Sequence, residues 1–161
     1  MSAYPLQDMV RVRTHREEQA SQAVTRARRL LEEARAVVLK LQKELDDYRS
    51  WRVQEEGHLL DSLMRRLLKL GEISDVRQMI AHLREREFEM IDAVKQAEAA
   101  VTKAEAHLEE CRGKHIKAVR DLEKLLEHRL VWLSERALEQ EMAEDLELED
   151  FSSPRLDREA A

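Results

Sequence analysis

The chain is poor in residues that interrupt helices and in those that fill large globular cores. Its 161 residues include three glycines, two prolines and 4% aromatic residues, whereas 39% are charged. With so few helix breakers, the chain has room for two long helices and little else. No stretch shows the sustained alternation and β-branched enrichment of a strand, so we expect an all-α protein.

Cysteine, excess positive charge and long apolar runs are also scarce. The single cysteine excludes an intramolecular disulfide and favours a reducing compartment. The net charge of −6 argues against a general binder of nucleic acid or anionic membranes. No run approaches roughly 18 apolar residues, and Met1 to Val12 has no apolar signal-peptide core. We therefore expect a cytoplasmic protein without an integral membrane segment.

One stretch, from Val76 to Arg136, repeats apolar residues in steps of four and three without a slip. A mean spacing of about 3.5 residues is the coiled-coil period, and it places these side chains on one narrow stripe. Such a stripe has to pack on another helix, which residues 6–70 can supply. The stripe predicted there is Ala20, Ala23, Ala27, Leu30, Ala34, Val37, Leu41, Glu44, Tyr48, Trp51 and Glu55, with Val24, Leu31, Val38 and Leu45 beside it. After Trp51 the apolar pattern slips by one step around Gly57, which predicts a local relaxation of the supercoil.

A tight turn is predicted between the helices, where Gly71 could end the first helix and Ser74 could cap the second. A connection this short makes the helices antiparallel, and places Trp51 beside Val94 and His58 beside Glu87. The predicted fold is one long antiparallel two-helix coiled-coil hairpin. Its parts are a lead-in at 1–5, a helix at 6–70, the turn at 71–74, a helix at 75–150 and a disordered tail at 151–161.

The sequence holds no glycine-rich phosphate loop and no nucleophile elbow, and a two-helix hairpin has no concave pocket for a substrate. We predict no catalytic residue and no cofactor. His107, Cys111 and His115 superficially resemble a metal site. His107 and His115 are, however, about 12 Å apart along a helix axis, too far for one ion. We predict no metal, with Cys111 as a small residue of the stripe.

Two regions stand out as candidate contact surfaces. A basic collar surrounds an aromatic residue where the chain termini meet, and it comprises Arg11, Arg13, His15, Arg16, His128, Arg129, Trp132 and Arg136. It is either a solvated face with Trp132 as core or a docking surface for an acidic partner. The predicted tip of the hairpin carries more apolar residues than two facing stripes can bury. That surplus indicates either a partner groove or a plug that closes the hairpin.

Several segments resemble the YscO/FliJ stalk proteins of type III secretion, and the YscO branch most closely. One is Tyr48-x-x-Trp51-Arg52-Val53-x-Glu55-Glu56, and another runs from Ile80 to Glu87. The opening Tyr4-Pro5-Leu6, followed by basic residues, is similar to other members. The architecture covers nearly the whole chain, and the motifs cover about 25 residues of it.

The resemblance implies a non-enzymatic, cytoplasmic stalk, peripheral to the secretion apparatus at the inner membrane. Such stalks engage the pore of the hexameric export ATPase and promote its activity. They also reach the cytoplasmic domain of the export gate, and some bind export chaperones. On charge and position alone, without a matched family motif, the ATPase-contact candidates are Arg11, Arg13, Arg16, Arg129, Trp132 and Arg136. The export-gate candidates are Leu67, Leu70, Ile73, Val76, Met79, Ile80, Leu83 and Arg84.

The main alternative is a homo-oligomeric coiled-coil scaffold or adaptor. In that case two hairpins would form a four-helix bundle, with Val24, Leu31, Val38 and Leu45 at the interface. A nucleic-acid-binding arm and a membrane-curving protein are both disfavoured by the acidic charge balance.

Overall fold

The described residues of the computed structural model, 3–65 and 70–152, form two α-helices and contain no strand. Helix α1 spans Gln7–Met64 and helix α2 spans Leu70–Ser152. The prediction of an all-α helical hairpin is confirmed. Within the described ranges, neither helix has an apolar stretch long enough to cross a membrane.

The start of α1 is defined by local hydrogen bonds around Pro5. Gln7 N donates to Tyr4 O at 3.1 Å, and Val10 N donates to Leu6 O at 3.1 Å. Asp8 lies in the first turn, where its negative charge is favourable beside the unpaired amide groups of a helix N-terminus. The helix therefore starts one residue later than the sequence predicts.

The turn is not at residues 71–74, because these residues belong to α2. Helix α1 ends at Met64, six residues before the predicted end. Gly71 does not have the positive φ of a left-handed cap. A glycine inside a helix costs only about 1 kcal/mol relative to alanine, which does not by itself end a helix. The C-terminal bound also differs, since α2 extends to Ser152 and the remainder of the predicted tail lies outside the described residues.

The contacts divide the chain into two compact units. We call residues 3–22 with 113–152 the terminal unit, and residues 23–65 with 70–112 the inner unit. In each unit a segment of α1 packs antiparallel against a segment of α2. In the inner unit, for example, Arg35 contacts Glu105 at 3.4 Å and Arg49 contacts Glu87 at 2.9 Å.

These pairs show that the predicted register is wrong. Glu87 pairs with Arg49 rather than with His58, which is exposed. Tyr48 donates its hydroxyl hydrogen to Leu83 O at 2.7 Å, although the predicted register places it much farther along α2. The error follows from the misplaced turn. The observed partners Leu83 and Glu87 lie nearer the N-terminus of α2 than the partners that the predicted register assigned to Tyr48 and Arg49.

The predicted stripe of α2 is confirmed as the seam, by which we mean the buried stripe between the helices. Each predicted position from Val76 to Trp132 is buried or half-buried, and Arg136 at the end is exposed. The seam of α1 also keeps steps of three and four, but at other positions. Its buried or half-buried members are Val10, Arg13, Glu17, Ala20, Val24, Ala27, Leu31, Ala34, Val38, Leu41, Leu45, Tyr48, Arg52, Glu55 and Leu59.

Four predicted seam residues of α1, Leu30, Val37, Glu44 and Trp51, are therefore wrong, because all four are exposed. The spacing continues through Arg52, Glu55 and Leu59, and the slip predicted around Gly57 comes just after it, because the next half-buried residue is Leu63 rather than Ser62. Sequence reasoning chose the neighbouring apolar stripe because charged residues interrupt the true one. The flank proposed for a four-helix bundle is itself in the seam, so it is not available as a surface for a second hairpin.

Each unit has its own apolar core. In the inner unit, Val24, Ala27, Leu31, Leu108 and Cys111 form a buried cluster, and Ala23, Val101 and Ala104 pack against it. Cys111 is thus a small seam residue, as predicted. In the terminal unit, Tyr4, Val10 and Leu125 are buried and contact Leu6, Leu122, Leu126 and Trp132.

Candidate functional site

A network of five charged side chains interrupts the apolar seam of the inner unit. We call Arg49, Arg52, Glu56, Arg84 and Glu87 the polar cluster. Arg52 is at its centre, with Nε 2.6 Å from Glu87 Oε2 and Nη1 2.9 Å from Glu56 Oε1. Arg84 Nε lies 3.2 Å from Glu56 Oε1, and Arg49 Nε lies 2.9 Å from Glu87 Oε1. Each carboxylate therefore contacts two guanidinium groups.

Three members of the polar cluster are largely removed from solvent. The side chains of Glu56, Glu87 and Arg52 are 15%, 17% and 18% exposed. Removing water from a charge is costly, and a partner with good geometry is needed to offset that cost. A polar pair in a coiled-coil seam also disfavours other registers, because a shifted helix would leave the charges unpaired. We infer that the polar cluster sets the register of the inner unit.

The network shifts the pKa values of Glu56 and Arg52, and the pKa of the neighbouring Tyr48 is also shifted. Burial acts to raise the pKa of Glu56, but the hydrogen bonds from Arg84 and Arg52, with the positive charges of both, lower it overall. The hydrogen bond to Glu56 raises the pKa of Arg52. Burial raises the pKa of Tyr48, whose hydroxyl is held by the Leu83 carbonyl. The shifts of Glu56 and Arg52 both favour the charged forms, the carboxylate of Glu56 and the guanidinium of Arg52.

The basic collar lies in the terminal unit, and its aromatic centre has an organised geometry. The Tyr4 hydroxyl lies 2.6 Å from His128 Nδ1. The Tyr4 ring meets the Trp132 ring edge to face, with centroids 5.4 Å apart. The Arg136 guanidinium lies 5.6 Å from the Trp132 ring centroid, within the range of a cation–π contact. Sequence reasoning placed Tyr4 in the lead-in and missed its role in this centre.

The six ATPase-contact candidates fall into two groups. Arg13, Arg129 and Trp132 are half-buried, whereas Arg11, Arg16 and Arg136 are exposed. Arg13 Nη1 donates to the Asp121 carbonyl at 2.7 Å, so this side chain also contributes to helix packing. Arg129 Nη1 lies 3.5 Å from Gln7 Oε1. The exposed three are the members that can reach another molecule.

Comparison with known proteins identifies the family. The family model of the type III secretion protein YscO matches residues 6–154. The chain belongs to the YscO family. A crystal structure of the type III secretion protein YscO from Vibrio parahaemolyticus is similar, with a TM-score of 0.85 and 25% sequence identity over 91% of this chain and 92% of that one. A YscO homologue from Chlamydia trachomatis shares the fold, with a TM-score of 0.76 and 22% identity over 94% and 93% of the two chains. A search of curated proteins finds no match.

The residues that resemble the YscO branch meet in space in this YscO-family chain. Arg52 and Glu56 come from the segment that begins at Tyr48, and Arg84 and Glu87 come from the segment after Ile80. Sequence reasoning quoted both segments but did not predict that they face each other. The sequence does contain a signal for this contact, because Arg52 and Glu87 carry opposite charges and both lie at positions that continue the seam spacing.

The export-gate candidates lie near the start of α2, except for Leu67, which is outside the described residues. Leu70, Ile73 and Met79 are exposed, and Leu70 is the most exposed of the three. Val76, Ile80 and Leu83 are half-buried in the seam, and Arg84 belongs to the polar cluster. A partner can contact the first group and also Arg84, whose side chain is 61% exposed, whereas Val76, Ile80 and Leu83 contribute to the packing beneath them.

The histidine and cysteine positions weighed as a metal site have other contacts. Cys111 Sγ lies 3.6 Å from His107 Nε2 in the inner unit. His115 Nε2 lies 3.0 Å from Glu17 Oε1 in the terminal unit. Within ranges 3–65 and 70–152, no group of three or more metal-ligating side chains comes together.

Proposed function

We propose that this chain is the non-enzymatic central stalk of a type III secretion export apparatus. In this proposal it engages the hexameric export ATPase and the cytoplasmic domain of the export gate, at the cytoplasmic side of the inner membrane. The observation that carries the proposal is the YscO family match along residues 6–154. The exposed arginines of the collar and the exposed apolar residues at the start of α2 supply two chemically different contact surfaces.

The collar is the proposed ATPase contact. Arg11, Arg16 and Arg136 are exposed, and a guanidinium can bind a carboxylate through two parallel hydrogen bonds. Half-buried Trp132 and Arg129 support this surface from below. A single stalk within a six-fold ring cannot contact all subunits equally, so its contacts would favour closure of one subunit over the others. That is allosteric coupling through differential contact, and it needs no catalytic group on the stalk.

The test is ATP hydrolysis by the export ATPase from the same source, with and without the chain. We expect stimulation by the native chain and its loss in Arg11→Glu/Arg16→Glu. Arg13 is left intact because it also packs the helices. The matched control is Lys40→Glu/Lys43→Glu, which reverses two exposed charges in the inner unit. Full stimulation by the collar variant would reject the collar as the contact. No stimulation of a hexameric ATPase by the native chain would reject the stalk mechanism itself.

The proposed gate contact consists of Leu70, Ile73 and Met79. Burial of an exposed leucine or methionine in a partner groove contributes roughly 1.5–3 kcal/mol. We expect Leu70→Ser/Met79→Ser to weaken binding to the purified cytoplasmic domain of the gate by at least about tenfold. Leu39→Ser, which changes another exposed leucine of the inner unit, is the control. Equal binding by all three chains would exclude these residues from the contact.

Export chaperones are a further proposed partner class, and a specific surface favours them. Leu30, Val37 and Trp51 lie in one heptad position of α1, and about half of each side chain is exposed. Glu44 occupies this heptad position between Val37 and Trp51, so the surface is an apolar stripe with one acidic residue, which an amphipathic partner helix can cover. We expect Leu30→Ser/Val37→Ser to abolish chaperone binding, with Leu39→Ser again as the control. Unchanged binding would remove this assignment without affecting the ATPase and gate contacts.

A further inference from the structure

Helix α2 continues for 20 residues beyond Trp132, and every residue from 133 to 152 is exposed. At ~1.5 Å per residue this C-terminal extension is about 30 Å long. It carries eight acidic side chains and one basic side chain. Leu138, Met142 and Leu146 recur every fourth residue, and each is more than half exposed. The extension is therefore a strongly acidic helix with an uncovered apolar face.

A surface of opposite character lies in the same unit. We call the groove lined by Arg13, Arg16, Lys114 and Lys117 the basic groove, and Ala118 and Asp121 complete its lining. It continues along Arg13 and Arg16 into a second depression, lined also by Asp8, Met9 and Val12. Met9 and Val12 are exposed apolar side chains. Even with the two aspartates counted, positive charge predominates along this surface.

We propose that the basic groove binds the C-terminal extension of a second copy of this chain. The two surfaces are complementary in two respects. Acidic side chains of the extension face four cationic side chains, and Leu138, Met142 and Leu146 can cover Met9 and Val12. The extension of the same molecule cannot occupy the groove, because α2 runs unbroken from Leu70 to Ser152. The occupant therefore has to come from another molecule.

A two-fold arrangement satisfies both surfaces at once. Each molecule carries one basic groove and one extension. In an antiparallel dimer, the groove of each molecule can therefore bind the extension of the other, which makes the interface isologous. Groove and extension both lie on the terminal unit. Exposed charge pairs dominate this contact, so we expect salt to weaken the dimer. Salt screens exposed charges, and the Debye length is only about 8 Å at physiological ionic strength.

Such a dimer would cover Arg13 and Arg16. If the collar contacts the ATPase, as proposed above, self-association and ATPase binding would compete for the same surface. This consequence rests on the proposed function, whereas the dimer itself does not. Its test therefore contains no ATPase, so that a failure of either proposal can be recognised separately.

The test is sedimentation equilibrium of the full chain from low to high micromolar concentration. We expect the mass to rise from one chain toward two at low ionic strength, and to return to one chain at high salt. Lys114→Glu/Lys117→Glu reverses the groove, and Glu141→Lys/Asp145→Lys reverses part of the extension. Each variant alone should remain monomeric. Lys40→Glu/Lys43→Glu, with equal charge change in the inner unit, should dimerise like the native chain.

The decisive experiment mixes the groove variant, Lys114→Glu/Lys117→Glu, with the extension variant, Glu141→Lys/Asp145→Lys. In a mixed pair, the native basic groove of one chain meets the native acidic extension of the other, and the charges reversed at positions 114 and 117 meet those reversed at 141 and 145. We therefore expect the mixture to form dimers. Circular dichroism at 222 nm verifies that each variant keeps its helices. A native chain that stays monomeric at low salt would overturn the proposal. The proposal would also be overturned if both variants keep their helices but their mixture forms no dimers. The basic groove would then have to bind an acidic partner other than a second copy of this chain.

Discussion

Arg52 Nε lies 2.6 Å from Glu87 Oε2, at a position where a coiled coil ordinarily has two apolar side chains. Both side chains are at least four-fifths buried. Glu87 also contacts Arg49, and Arg52 also contacts Glu56, so no carboxylate of the network depends on one partner alone. The Arg52–Glu87 contact joins α1 to α2. It favours the native register because sliding one helix along the other would separate these two charges.

Two variants separate the destabilisation caused by leaving Glu87 without Arg52 from the net contribution of the Arg52–Glu87 pair to stability. Arg52→Ala leaves Glu87 with only the more exposed Arg49, and we expect the free energy of unfolding to fall. In Arg52→Leu/Glu87→Leu the seam becomes apolar, and we expect a stability close to native or above it. Urea unfolding followed by circular dichroism measures both. A double variant as unstable as the single one would show that the pair itself stabilises the fold.

The polar cluster should also make stability depend on pH in the acidic range. The pKa of Glu56 is lowered below its ordinary value of 4.5, so the folded state binds its proton less readily than the unfolded chain does. The stabilisation is therefore present above the unfolded pKa and is lost as pH falls through the folded pKa. Urea midpoints between neutral pH and pH ~3 should show a smaller decline for Glu56→Gln than for the native chain. An identical decline in the two proteins would contradict the assignment to Glu56.

Two neighbouring leucines test which stripe of α1 is the seam. Leu31 is 6% exposed in the inner core, whereas Leu30 is 53% exposed. We expect Leu31→Ala to reduce the free energy of unfolding by about 2–5 kcal/mol, because it leaves a cavity beside Leu108. Leu30→Ala should change it by less than about 1 kcal/mol. Urea unfolding measures both changes. A larger loss of stability in Leu30→Ala than in Leu31→Ala would show that the stripe predicted from the sequence is the buried one.

Helix α2 could be predicted from the sequence almost position by position, but α1 could not. Apolar residues mark the seam of α2 over nearly its whole length, so spacing alone identifies the buried face. In α1, Arg13, Glu17, Arg52 and Glu55 lie in the seam, while Leu30 and Trp51 lie outside it. A search for apolar periodicity cannot place a seam whose charged members are stabilised by the opposite helix.

The remaining differences have a common origin in long-range contacts. Gly71 was a reasonable local signal for a turn, yet α2 passes through it, and the register on α2 shifts as a consequence. The collar could be located from its charges. Its organisation around Tyr4 could not, because the contact to His128 joins residues that are distant in the chain.

The Tyr4 contact should hold the start of the chain against α2 in the terminal unit. Tyr4 is 7% exposed, and its ring and hydroxyl contact Trp132 and His128 respectively. We expect Tyr4→Phe, which loses only the hydrogen bond, to lower the free energy of unfolding by about 1 kcal/mol, and Tyr4→Ala by about 3 kcal/mol. In a Trp51→Phe background, Trp132 is the sole tryptophan, so its fluorescence reports on this site. Tyr4→Ala should shift that emission to longer wavelength while Tyr4→Phe should not, because removing the Tyr4 ring exposes more of the half-buried indole to water. Unshifted emission in Tyr4→Ala would show that other side chains shield Trp132 and that Tyr4 does not hold this end closed.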